Sequence, residues 1–80
     1  MSTLRTFDSN RGTERLGEMW TLSKGGRKVA CTLLTHPLGW ELVVRIDGDL
    51  WRSQVCKTEY EVFDVAEQWK PDWLAKGWEV

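Results

Sequence analysis

Three short turn signals constrain this chain more than any other feature, because each fixes both where the chain reverses and which side chains share a face. Asp47-Gly48 stands between Val43-Val44-Arg45-Ile46 and Leu50-Trp51-Arg52-Ser53. Asp-Gly in that setting predicts a type I′ hairpin, since both residues tolerate positive φ. As the loop residues they set Ile46 opposite Asp49, Val44 opposite Trp51, Leu42 opposite Ser53 and Trp40 opposite Val55. Pro37-Leu38, between His36 and Gly39, pairs Thr35 with Trp40, Leu33 with Leu42, Cys31 with Val44 and Val29 with Ile46. Gly25-Gly26 pairs Leu22 with Val29 and Trp20 with Cys31.

Directly opposed residues lie on one face, and a one-residue slip at any turn would send a strand's side chains to the other. The registers nevertheless gather one apolar set: Trp20, Leu22, Val29, Cys31, Leu33, Trp40, Leu42, Val44, Ile46, Trp51 and Val55. That agreement predicts a four-stranded antiparallel meander, its strands over Glu18–Lys24, Arg27–Thr35, Trp40–Ile46 and Leu50–Lys57. The second face would carry Thr21, Lys28, Ala30, Thr32, Leu34, Glu41, Val43, Arg45, Leu50, Arg52, Gln54 and Cys56.

Thr58-Glu59-Tyr60-Glu61 reads as a capping box, with Thr58 accepting from the amide of Glu61 and Glu61 reaching back to the amide of Thr58. A helix from about Glu59 to Lys76 follows, with Val62, Val65, Ala66, Trp69 and Trp73 on one stripe. Pro71 removes the bond its amide would give to Glu67, so the helix is expected either to kink there or to break and restart. Gly77 suits the position after the helix end, where Trp78 can fold back on the final turn. The expected fold is therefore α+β, ββββα, with a kinked amphipathic helix packed on one face of the sheet.

Eighty residues make a single domain near the size where burial only just offsets chain entropy. Six tryptophans supply large apolar surfaces for so small a core. Residues 1–17 are polar and turn-rich, with Leu4, Phe7 and Leu16 as apolar anchors and Arg5, Arg11 and Arg15 as cations; they read as a flexible or loosely docked arm ahead of a domain over 18–80. No apolar run is long enough to span a bilayer and no charged-then-apolar start resembles a signal peptide, so a cytoplasmic location is expected. Cys31 and Cys56 fall on opposite faces in this register and should be reduced. With one histidine far from both, they make a poor zinc set.

Nothing in the sequence builds a catalytic constellation. No Ser, His and acid converge, His36 sits at a hairpin corner, and Gly25-Gly26 opens a strand rather than a phosphate-binding helix. A non-enzymatic domain without cofactor or metal is expected. The second face is more informative, because Lys28, Thr32, Leu34, Glu41, Val43, Arg45, Leu50, Arg52 and Gln54 mix apolar centres with charged rims, as partner-binding faces do. That face, or an edge strand, is expected to bind a protein as an inhibitor or adaptor would, its own copy included. The alternative is single-stranded nucleic acid held by Lys28, Arg45, Arg52 and the N-terminal arginines. Eleven basic residues against twelve acidic ones give no bulk charge in its favour.

The pattern Met19-Trp20 with Leu22, His36-Pro37 with Gly39 and Glu41, Trp69-Lys70 and Lys76-Gly77-Trp78 resembles a family of short uncharacterised bacterial and phage proteins. The resemblance implies a small cytoplasmic domain that acts by binding another macromolecule. In element order the chain is also similar to the single-stranded-DNA-binding domains of the coactivator and Whirly type. Those domains imply a basic sheet surface with exposed aromatics, whereas Trp40 and Trp51 are expected on the buried side here.

Overall fold

The computed structural model describes residues 14–80, so residues 1–13 of the expected arm, with Leu4, Arg5, Phe7 and Arg11, lie outside the described residues. Four strands, β1 (Arg15–Lys24), β2 (Arg27–His36), β3 (Gly39–Ile46) and β4 (Asp49–Cys56), precede one helix, α1 (Glu59–Ala75). The sheet order is β1-β2-β3-β4 with every pair antiparallel, the α+β meander that the turns predict.

Each expected turn closes its hairpin. Asp47 and Gly48 have φ of 51° and 92°, and Gly25 and Gly26 have 57° and 83°. Those values fit type I′ turns, whose twist matches that of the flanking strands. Asp47 also ties the β3–β4 turn to β2. Its carboxylate accepts from the Lys28 amide at 2.9 Å and from Arg27 Nε at 3.0 Å, while its own amide donates to the Lys28 carbonyl. The β2–β3 register then runs without interruption from Val29↔Ile46 to His36↔Gly39.

The outer strands depart from strict alternation. In β4, Leu50 pairs with Arg45 but Arg52 pairs with Val44, so Trp51 is the extra residue of a β-bulge. Beyond it the expected faces exchange: Arg52, Gln54 and Cys56 align with Val44, Leu42 and Trp40, while Ser53 and Val55 align with Val43 and Glu41. The pairings of Val44 with Trp51, Leu42 with Ser53 and Trp40 with Val55 are thus replaced. In β1, Met19 and Leu16 are extra residues in the same sense. The strand also begins at Arg15, ahead of the expected Glu18, and Glu14 joins it to β2 by giving its amide to Thr35 Oγ1 at 2.7 Å.

α1 covers the face that carries Leu22, Val29, Cys31, Leu42 and Val44, and buries the expected stripe of Val62, Val65, Ala66, Trp69 and Trp73 against it. Fully burying such a side chain contributes about 1.5–3 kcal/mol. The one polar group of the Trp20 side chain, its indole N–H, donates to the Ala66 carbonyl at 3.0 Å inside the core. Thr58 caps the helix by accepting from the Glu61 amide, and Glu61 reaches back to the amide of Lys57 rather than that of Thr58. The helix passes through Pro71 unbroken, with the proline on its exposed side.

The helix end is a Schellman motif. Trp78 N–H donates to the Trp73 carbonyl and Gly77 N–H to that of Leu74, with Gly77 at φ 95°. The Trp78 ring then meets the Trp73 ring edge-on, centroids 5.6 Å apart. Beyond the motif, Glu79 exchanges two backbone hydrogen bonds with Ser23, so the chain's last residues lie against the outer edge of β1.

Candidate interaction face

The face of the sheet turned away from α1 is built in three rows, each set by the strand registers. The middle row is Glu18, Thr32, Val43 and Ser53. Toward the Asp47 turn lies the row Thr21, Ala30, Arg45 and Leu50, and toward the Pro37 turn the row Arg15, Leu34, Glu41 and Val55. Lys28 stands beyond the second row, opposite Ser23. Of the residues expected here, Lys28, Thr32, Leu34, Glu41, Val43, Arg45 and Leu50 are brought together.

Arg52 and Gln54 are not, because the Trp51 bulge turns them toward the helix. The Arg52 guanidinium carbon lies 4.3 Å from the centroid of the Trp69 ring, a cation–π contact on the covered side. Arg15, Glu18, Ser53 and Val55 take up the face instead. Leu50-Trp51-Arg52 reads as ordinary alternation, and only the pairing of an extra Trp with a following Arg, both able to lie against an aromatic helix stripe, hints at the bulge.

Val43 is only 4% exposed although no helix covers it. It sits on an inner strand between Thr32 and Ser53, with Glu41 and Arg45 two residues to either side. Leu34, Thr32, Ala30 and Glu41 are half-buried, while Leu50, Arg45 and Lys28 are exposed. A shallow depression of about 320 Å³ opens among Arg15, Glu18, Lys28, Ala30, Thr32, Leu34 and Arg45. Glu18 is held at its rim by Arg15 Nη2 at 3.1 Å and by the Thr21 hydroxyl at 2.8 Å. Among the described residues no carboxylate pairs with Lys28 or Arg45. The Lys28 amide and the Arg27 guanidinium hold the Asp47 carboxyl below the usual carboxylate range.

The covered side has surface features of its own. Trp51, expected in the core, is 57% exposed and touches Trp73 edge-on at 5.8 Å between centroids. Leu16, Leu33, Trp40, Val62 and Phe63 line a second depression of about 280 Å³ at the start of the helix.

The two cysteines share the core rather than opposite faces, again because of the bulge, and both are free thiols. Burial first, and the neighbouring Cys56 second, push the Cys31 thiol up to about 12; burial and then Glu61 raise that of Cys56. Neither supplies a thiolate near neutral pH. His36 Nδ1 accepts from the Leu38 amide at 3.1 Å, a bond internal to its turn. Among the described residues no three His, Cys, Asp or Glu are grouped to hold a metal ion, and no helix is long and apolar enough to cross a membrane. No protein-family model, curated protein or solved structure matches the chain.

Proposed function

We propose that this is a non-enzymatic interaction domain that binds protein through the open face of its sheet, in the manner of an adaptor or inhibitor. The observation that carries the reading is the arrangement around Val43: an apolar centre with Leu34, Leu50 and Val55 nearby and Arg45, Glu41 and Lys28 at the margin. Apolar centres ringed by charge are the anatomy of protein-binding surfaces. The edges offer less. β1 carries two bulges and is bridged by Glu79, and β4 carries one, all of which spoil a strand for pairing. Two free, buried thiols fit work in the reducing cytoplasm.

Any association of the pure protein, with itself or with peptides panned from a random library, is expected to be lost in the pair Ala30→Arg, Thr32→Arg and kept in Phe63→Ser. Association indifferent to the pair and abolished by Phe63→Ser would overturn the reading and move the site to the helix side. Single-stranded nucleic acid is the competing ligand, since Arg15, Lys28 and Arg45 border one depression. Among the described residues the open face has no aromatic ring on which a base could stack, however. Dye-labelled mixed oligonucleotides titrated with the protein at low salt should show no change in anisotropy; a salt-sensitive rise that Arg45→Glu abolishes would give the face to nucleic acid.

A further inference from the structure

We propose that the occupant of the open face is a second copy of this chain, related by a two-fold axis that runs across the strands through Thr32 and Val43. The proposal rests on the open face being the protein-binding surface, and it follows from the rows. Such an axis reverses strand direction and lays the Arg45 row of one copy over the Glu41 row of the other. Arg45 then faces the partner's Glu41, and Glu41 faces the partner's Arg45. Ala30 receives the larger Leu34 of the partner subunit, and Leu50 meets the partner's Val55. The middle row lies on itself, Val43 against the partner's Val43 and, at the β1 edge, Glu18 against the partner's Glu18, each carboxylate held by its own Arg15 and Thr21.

The other two-fold arrangement, with the axis parallel to the strands between β2 and β3, would lay Arg45 on Ala30 and Glu41 on Leu34. Both charges would be buried without partners, which costs more than contact returns. The chain's formal net charge of −1 sets up no long-range repulsion between copies. Face-to-face sheets pack about 10 Å apart with their strands inclined by about 30°, within the reach of an arginine and a glutamate extended toward each other. Four strands by three rows is a small footprint, at the low end for specific interfaces, so a dissociation constant on the order of 10 µM is expected.

Sedimentation equilibrium of the whole chain from about 1 to about 500 µM, bracketing that value, is the test. The native chain should pass from monomer to dimer. Glu41→Arg and Arg45→Glu should each remain monomeric with unchanged circular dichroism, because each sets like charges against each other twice. An equal mixture of the two variants should dimerise, since every facing pair is then opposite in sign, and the double exchange in one chain should dimerise with itself. A native chain monomeric throughout the range would overturn the second copy as occupant, yet leave the face open to a different protein. A dimer indifferent to both charge reversals, or variants that fail to associate when mixed, would also overturn the proposal. The protein-binding reading fails separately, if panned peptides ignore the Ala30→Arg, Thr32→Arg pair.

Discussion

Val43 and Val44 are adjacent in the chain, point to opposite faces of the sheet and are both almost wholly buried, yet their surroundings differ in kind. Around Val44 lie Leu42, Cys31, Val29 and the helix stripe, a buried apolar cluster whose one adjoining charge, Arg52 opposite Val44, is exposed and lies over the Trp69 ring. Around Val43 apolar and charged side chains alternate, and the cover comes from the sheet's own neighbours. The same degree of burial thus arises by two routes: a dry one in which removal from water stabilises the fold, and an open one that leaves charges free to meet another surface. In the proposed reading stability and recognition are divided between the faces, and each can be perturbed with little effect on the other.

The largest effect that would sharpen this contrast is expected from Val44→Asp. It places a carboxylate at a wholly buried position beneath α1, should cost about 4 kcal/mol, and would leave a domain of this size largely unfolded by circular dichroism at 25 °C. Val43→Asp should cost less, about 1–2 kcal/mol, because its carboxylate can turn outward to water between Arg45 and Glu41. Equal losses in urea melts would break the distinction between the faces.

Next in size is truncation after Ala75, which removes the Schellman hydrogen bonds, the buried Trp78 ring and the Glu79 bridge to β1. A loss of about 3 kcal/mol is expected in thermal melts. The open-face residues should keep their amide shifts in whatever fraction remains folded; if they moved as much as the helix end, the faces would be coupled after all.

A smaller effect belongs to pH. The folded-state pKa of Cys31 is raised from 9.0 to about 12, so its contribution to stability is complete below about 9 and is lost as pH rises from there toward 12. Chemical-denaturation midpoints should be flat from neutral pH to 9 and then fall, with Cys31→Ala reducing the slope. A thiol reagent should label both cysteines only as fast as the protein opens. The smallest effect concerns Asp47, whose folded-state pKa is depressed. Its contribution is present above the unfolded carboxyl value and is lost as pH falls through the folded one. Asp47→Asn should flatten the acid limb of the stability curve slightly and leave the alkaline limb unchanged.

Most of this was readable from the residues where a turn fixes the register. Asp47-Gly48, Pro37-Leu38 and Gly25-Gly26 specify β2 and β3 residue by residue, because an inner strand held on both sides has no freedom to slip. The helix stripe and the Gly77-Trp78 ending were equally plain. The bulges were not, since in Leu50-Trp51-Arg52-Ser53-Gln54-Val55-Cys56 either Val55 or Cys56 can serve as the terminal core residue, and alternation alone does not choose. The choice is made by packing: Trp51 lies beside Trp73 and Arg52 over Trp69. That contact joins residues far apart in sequence, and the local pattern carries no more of it than a Trp followed by an Arg. The site inherited the error, losing Arg52 and Gln54 and gaining Ser53 and Val55, with Arg15 added by the longer β1 and Glu18 turned onto the face by the Met19 bulge.

The edge-on chain of Trp51, Trp73 and Trp78 also has an optical consequence. Indole rings at 5.6–5.8 Å, inclined at 69° and 88°, are close enough for their electronic transitions to mix and are held in a fixed chiral arrangement. The result should be a pair of far-ultraviolet dichroic bands of opposite sign superimposed on the helix and sheet signal. Because the three rings come from β4, the last turn of α1 and the segment beyond it, that couplet loses its Trp73–Trp78 part and keeps its Trp51–Trp73 part when the C-terminal segment lifts away, even while the sheet stays whole. The protein thus carries a built-in spectroscopic gauge of whether its end is closed.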